Sequence, residues 1–330
     1  MKVTFSGVNN GDSVRGIGVH TTELIGHLKK LSGVEVVSSG ADVIHYTKFN
    51  PFVLSLPTSK PDAKVVLTIH DLIPLIYPKQ YPSGVKGGLT FSLQKYLMKN
   101  IDAIITISET SKKDICRFLS VHPNKVHVIY LAPRDIFRKL EIQERYHLPE
   151  KFVLYTGDIN YNKNIPNLVE ACAIAKLPLV IAGKQAGQIE NMDLNHPELA
   201  HLKNIYWTGV IRLGFTEDED LVKIYNLATV YCQPSYYEGF GLPILEAFAC
   251  GTPVVAARNN CHIEIGEDAV LLADPTSPQD MAEKLTEVAN NKKLREGLIK
   301  KGLARVKGFT WDKTARETLH LYQAVLMYFM

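Results

Sequence analysis

Short β-branched runs alternate along this chain with stretches whose apolar residues recur three and four positions apart, the pattern of strands separated by helices around a parallel sheet. In the first half it predicts strands at 2–6, 42–46, 64–69, 103–107 and 125–130, and helices at 18–30, about 89–99 and 111–119. Between 133 and 150 the periodicity lapses into a charged stretch with a proline near each end, as in a connector. It then restarts, predicting strands at 152–156, 179–182, 205–208, 230–233 and 254–257. Helices are expected from Pro166, at 218–228, after the 230–233 strand, at 278–290 and at 311–330.

These are two consecutive βα arrays with no detectable repeat. The predicted fold class is α/β, with two Rossmann-like doubly wound domains facing each other across a cleft. The domains expected are 1–142 and 143–311, with the helix 312–330 returning to the first. A length of 330 residues agrees, since domains average about 150 residues. The 46% hydrophobic content allows each its own core.

Charge narrows the function classes. A formal net charge of +3 is too small for wholesale nucleic-acid binding, so no nucleic-acid partner is expected and any anion site must be local. The five cysteines form no CxxC or Cys/His ligand pattern and read as reduced thiols. No apolar run approaches the roughly 20 residues of a membrane span, and nothing resembles a leader, so a cytoplasmic protein is expected.

The chemistry concentrates after the 230–233 strand. Residues 235–242 form a loop with Gly239 and Gly241, Pro243 suits a helix start, and Gly251 suits a helix end. Backbone N–H groups at such a helix start, approached closely over glycines, make a seat for a phosphate or a sugar hydroxyl. Glu238 lies in the loop and Glu246 one turn into the helix. Two carboxylates can serve as an acid and a nucleophile or base, as in glycosidases, or each can hold the hydroxyls of a different sugar.

The whole run from Pro234 through Glu238-Gly239-Phe240-Gly241-Leu242-Pro243-Ile244-Leu245-Glu246 to Val255 resembles the donor-site segment of retaining GT-B glycosyltransferases, the family with many bacterial α-mannosyl- and α-glucosyltransferases. The resemblance implies that Glu238 contacts the transferred sugar, that Glu246 holds the nucleotide ribose, and that the Gly239, Phe240, Gly241 and Leu242 backbone serves the sugar and phosphates. Tyr155-Thr156-Gly157 with Lys163-Asn164 is similar to the family's phosphate loop, which implies Gly157 at the donor and Lys163 on its diphosphate. Gly209-Val210 resembles the start of the nucleobase pocket, and Arg15-Gly16-Ile17-Gly18 the glycine loop of the first domain, which implies donor contacts from Val210, Gly16 and Gly18. His70, in Thr68-Ile69-His70-Asp71-Leu72-Ile73-Pro74, resembles the family's histidine near the transferred sugar, with Asp71 orienting it or capping a turn. Glu238, His70 and Lys163 are thus the expected catalytic residues.

One position departs from the pattern: many relatives carry arginine after the glycine matching Gly157, and this chain has Asp158. Lys184, Arg212 and Arg15 are candidate replacement cations. No His/Asp/Cys grouping has metal-ligand spacing, so neither metal nor cofactor is expected. The expected activity is metal-independent, front-face transfer of a hexose, mannose from GDP-mannose, to a glycan or lipid-linked saccharide. The alternatives are a UDP-sugar-dependent glucosyl- or N-acetylglucosaminyltransferase, or a non-catalytic nucleotide-sugar-binding subunit. Lys86, Lys95, Lys99, Lys112, Lys113 and Arg117, among Leu89, Phe91, Leu97 and Met98, form either a solvated basic face or a peripheral contact with an anionic membrane at its inner face.

Overall fold

A computed structural model describes residues 1–6, 16–142 and 147–327. The chain forms two compact units: Met1–Ala132 with the segment from Phe309 onward, and Pro133–Gly308. The division falls before residue 142 because the stretch after Ala132 packs on the second unit. Arg134 there forms a two-pronged ion pair with Asp218, Phe137 is buried against Tyr225, and Asn226 Oδ1 accepts the Leu140 N–H at 2.7 Å.

In the first unit the elements run β1 (Lys2–Ser6), α1 (Ile17–Leu28), β2 (Glu35–Val36), β3 (Val43–Tyr46), β4 (Lys64–Thr68), α2 (Ile73–Ile76), α3 (Gly84–Leu97), β5 (Ala103–Thr106), α4 (Glu109–Leu119) and β6 (Val126–Val128). Its strands pair in the order β2-β1-β3-β4-β5-β6, all parallel. The second unit runs β7 (Val153–Thr156), α5 (Ile165–Ala175), β8 (Leu179–Ala182), β9 (Val210–Gly214), α6 (Asp218–Leu227), β10 (Val230–Gln233), α7 (Leu242–Ala249), β11 (Val254–Ala257), α8 (Asn260–Gly266), β12 (Val270–Ala273), α9 (Pro278–Asn290) and α10 (Lys292–Arg305). This sheet is also wholly parallel, ordered β12-β11-β10-β7-β8-β9.

Helices cover a parallel sheet on both faces, which is why β5, β7, β8, β10 and β11 are unbroken buried runs rather than alternating ones. Some helix starts are capped by a local side chain. Ser108 Oγ accepts the Ser111 N–H at 2.9 Å to begin α4, and Ser277 Oγ accepts the Asp280 N–H at 3.1 Å to begin α9. The last helix, α11 (Trp311–Met327), packs on the first unit, where Thr314 Oγ1 donates to the Tyr130 carbonyl and the Tyr322 hydroxyl lies 2.6 Å from His45 Nδ1.

One strand differs from expectation. Residues 205–208 are not a strand; pairing with β8 begins at Val210, opposite Leu179, and Tyr206 stands 88% exposed. The β-branched and aromatic residues of 205–208 are a strand signal, but the neighbouring strand selects the next segment. Helix α1 begins at Ile17, one residue before the expected start at Gly18. The periodicity did not suggest β2, α2, α8, β12 or α10: the first four are short, and α10 buries only Leu298 and Gly302 in a polar sequence.

Candidate active site

In the second sheet the strand order reverses between β7 and β10: β8 and β9 lie on one side, β11 and β12 on the other. Loops leaving the carboxyl ends of two such strands diverge and open a crevice between them. Gly157 and Lys163 follow β7, and Glu238 to Leu242 follow β10, so both expected donor segments flank this point.

The two loops touch. Lys163 Nζ donates to both oxygens of Glu238, at 2.8 and 2.9 Å. Glu238 is only 7% exposed, and a carboxylate so buried must be paired and hydrogen-bonded. Ser235 Oγ and Gln233 Nε2 donate to Oε1 at 2.6 and 2.9 Å. Burial opposes ionisation of Glu238, but the Lys163 charge, its hydrogen bonds and that of Ser235 outweigh this and hold the carboxyl below its usual range.

Gly241 adopts the left-handed region, φ 95°, and turns the chain into α7, where Leu242 and Pro243 form the first turn. Glu246 follows one turn later, and its Oε2 accepts the Tyr225 hydroxyl at 3.0 Å. The loop is braced from below by the start of α8. Asn259 Nδ2 donates to the Ser235 carbonyl, Cys261 Sγ to the Phe240 carbonyl, and the His262 ring packs beside Gly241. The neighbouring loop is tied in similarly, with Asn162 Nδ2 on the Tyr237 carbonyl and Asn164 Nδ2 on the Pro234 carbonyl. Phe240 is a core residue, so its backbone is its only route to a ligand.

Gly157 closes β7 with its N–H on the Ala182 carbonyl, and Gly183 of the adjacent strand end approaches its carbonyl closely. Asp158 is exposed, and its carbonyl accepts the Tyr155 hydroxyl. Among the proposed replacement cations, Arg212 pairs with Glu190, Lys184 follows Gly183 at the strand end beside Gly157, and Arg15 lies outside the described residues.

Val210 is not brought to this site. As the first residue of β9, opposite the first residue of β8, it stands at the amino edge of the sheet, the end away from Glu238. Gly214, Phe215 and Thr216 occupy the carboxyl end of that strand instead. The shift follows from where β9 begins.

His70, Gly16 and Gly18 belong to the first unit. His70 follows β4, and its Nε2 lies 3.0 Å from Nδ1 of His20, a buried residue of α1. Burial lowers its pKa to about 4, so it is neutral at physiological pH. Asp71 Oδ1 accepts the Ile73 N–H and so caps the turn into α2. Gly16 precedes α1 with φ 61°. Among the described residues, no three His, Cys, Asp or Glu side chains gather at metal-ligand range.

Gln233, Ser235 and Tyr225 were missed by the sequence reasoning. Gln233 and Ser235 carry a local signal, polar residues at the end of a buried strand just before Glu238. Tyr225 carries none, because its contact depends on how α6 packs against α7.

Two Rossmann-like units of parallel sheet, the second with lysine, paired glutamates and a glycine turn at its switch point, define a glycosyltransferase of GT-B architecture. Residues 137–305, a little over half of the chain, match the family Glycosyl transferases group 1, and residues 37–132 match Glycosyltransferase Family 4. The chain belongs to the glycosyl transferases group 1 family. It is 28% identical over 285 residues to the O-antigen chain mannosyltransferase B of Escherichia coli, covering 79% of this chain and 70% of that protein. It is 26% identical over 316 residues to the serotype-specific mannosyltransferase WbdA of Escherichia coli, covering 89% of this chain and only 38% of that longer protein. The sucrose-phosphate synthase of Thermosynechococcus elongatus superposes with a TM-score of 0.74 over 99% of both chains at 18% identity, a likeness of fold.

Proposed function

We propose that this glycosyltransferase moves a mannosyl group from GDP-mannose to a saccharide acceptor, with retention at the anomeric carbon and without a metal ion. The observation that carries the donor site is the contact of Lys163 with Glu238 across the switch point, with Glu246 one turn further on. Relatives named as mannosyltransferases support the choice of sugar.

Cleaving a sugar–diphosphate bond builds positive charge at the anomeric carbon and negative charge on the leaving phosphate. Lys163 and the N–H groups at the start of α7 meet that negative charge, and Lys184, which follows Gly183, is the candidate to stand in for the missing family arginine. Glu238 holds hydroxyls of the hexose and Glu246 those of the ribose. Glu238 is engaged by Lys163, Ser235 and Gln233, which suits a positioning carboxylate better than a nucleophile. The departing phosphate then takes the acceptor proton.

The acceptor is a glycan or a lipid-linked saccharide. Leu97 and Met98 are core residues, so the apolar face suggested around Leu89 is narrower than the sequence implied. It consists of Val85, Leu89, Leu93 and Tyr96, exposed along one stripe of α3 beside Lys86, Lys95 and Lys99. Positions 84–100 contain no acidic residue. Among the described residues no helix is long and apolar enough to cross a membrane, so contact would be peripheral.

The test is a product assay of the purified chain with GDP-mannose, UDP-glucose and UDP-N-acetylglucosamine, with and without chelator, reading the anomeric configuration by NMR. An α-mannoside formed in chelator is expected. A β-linked product, a UDP-sugar preference or chelator sensitivity each removes the corresponding part of the proposal.

A further inference from the structure

The donor reading assigns Lys163 and Glu238 to different parts of one ligand, the ammonium to the diphosphate and the carboxylate to the hexose. In the structure they hold each other. Both are largely withdrawn from water, with side-chain exposures of 23% and 9%. Neither can therefore be given up to a ligand without consequence for the other.

The two carboxylate oxygens are held differently. Oε1 accepts from Ser235 Oγ, Gln233 Nε2 and Lys163 Nζ, whereas Oε2 accepts from Lys163 alone among the described residues. Ser235 and Gln233 are short, buried and attached to the end of β10, and Gln233 Nε2 also bonds Ser235 Oγ at 2.9 Å. They keep the carboxylate aimed whether or not the lysine is present. Lys163 ends a flexible four-carbon stem and can swing between partners. The pair is thus built to open on the lysine side, leaving a correctly placed carboxylate with one free oxygen.

We infer that Glu238 is a specificity-determining residue that discriminates the nucleotide-sugar from the nucleoside diphosphate by competing with the diphosphate for Lys163. This rests on the donor reading above. A bound diphosphate draws Lys163 away and strands a buried carboxylate, which is costly. A nucleotide-sugar carries its own remedy, because hexose hydroxyls donate to the vacated Oε2. Once the hexose has passed to the acceptor, those hydroxyls are gone. Glu238 retakes Lys163, the grip on the diphosphate weakens, and the spent nucleotide leaves. Ser235 and Gln233 act as positioning residues in this exchange.

The experiment titrates GDP and UDP by calorimetry into the wild-type chain, Glu238→Gln and the double variant Glu238→Gln/Lys163→Met, with transfer measured in parallel. Glutamine keeps the size of the side chain and an acceptor for Ser235 but has no charge to claim the lysine. The nucleoside diphosphate should bind Glu238→Gln about tenfold or more tightly than wild type, while transfer collapses. Adding Lys163→Met should abolish the gain. Unchanged or weaker binding to a folded Glu238→Gln overturns the inference while leaving the donor reading standing. Undiminished transfer by Glu238→Gln removes the donor reading, and the inference with it. Should Glu238→Gln fail to fold, Glu238→Asp, which loosens the pair by one methylene, must show a smaller tightening in the same direction, and its absence is equally decisive.

Discussion

The Tyr225 hydroxyl ties Glu246 to the end of the first strand of the second unit: it donates to Glu246 Oε2 at 3.0 Å and lies 2.7 Å from Thr156 Oγ1. The hydroxyl thereby holds the Glu246 carboxylate from one side. Tyr225→Phe should cost about 1–2 kcal/mol of stability, because a partly buried carboxylate oxygen and the Thr156 hydroxyl lose their partner. If Glu246 holds the ribose, the donor KM should rise severalfold with kcat nearly unchanged, as for an interaction equal in ground and transition states. A kinetic profile matching wild type would detach Glu246 from the donor.

Gly183 is predicted to be irreplaceable. A Cβ there would lie 2.0 Å from the Gly157 carbonyl, on backbone that cannot step aside without parting β7 from β8. Gly183→Ala should lower stability by about 1–3 kcal/mol or more and weaken donor binding, as measured by melting temperature and calorimetry. Gly26→Ala, in a helix with nothing within 4 Å of the added carbon, is the control and should stabilise by about 0.5–1 kcal/mol. Similar melting temperatures for the two variants would contradict the close strand contact.

Acid should destabilise the fold well above the carboxylate range. Burial lowers the pKa of His45 to about 3 and of His70 and His201 to about 4, and it shifts His20 in the same direction. Each titrates near 6.5 when unfolded. Between those values the unfolded chain binds protons that the folded chain refuses, so stability rises with pH and is lost as pH falls below about 6.5. Melting temperatures should therefore change little from pH 7.5 to about 6.5 and decline from there to pH 5. A flat profile would show that these rings are not buried in the neutral form.

The exposed stripe of α3 gives a surface test. Leu89→Ser with Leu93→Ser should lower partitioning onto vesicles rich in anionic lipid about tenfold or more, through lost apolar burial. Transfer to a soluble acceptor should be unaffected. Equal flotation of wild type and variant, or no preference for anionic over neutral vesicles, would assign the stripe another purpose.

Much of this was legible along the chain. The strand Val230–Gln233, the loop with its glycines and the helix beyond follow from local signals: a buried run, residues that permit a left-handed turn, and a proline suited to a helix start. The misplaced strand shows where local signals stop. Residues 205–208 have high strand preference, yet the sheet takes Val210–Gly214, because an edge strand forms where its neighbour offers a matching ladder. Val210 lost its expected place at the site for that reason alone.

The sequence by itself determined two arrays of buried parallel strands and a glutamate-rich glycine turn at a strand end, since each depends on side-chain periodicity and backbone preference over a few residues. The tertiary structure decided which groups meet. Lys163 and Glu238 are 75 positions apart and become partners because the strand order reverses between their strands. Tyr225 reaches Glu246 only through helix packing, and His70 finds His20 only through the return of a helix to its sheet. Such contacts follow from the order of strands in space, and no spacing along the chain encodes that order.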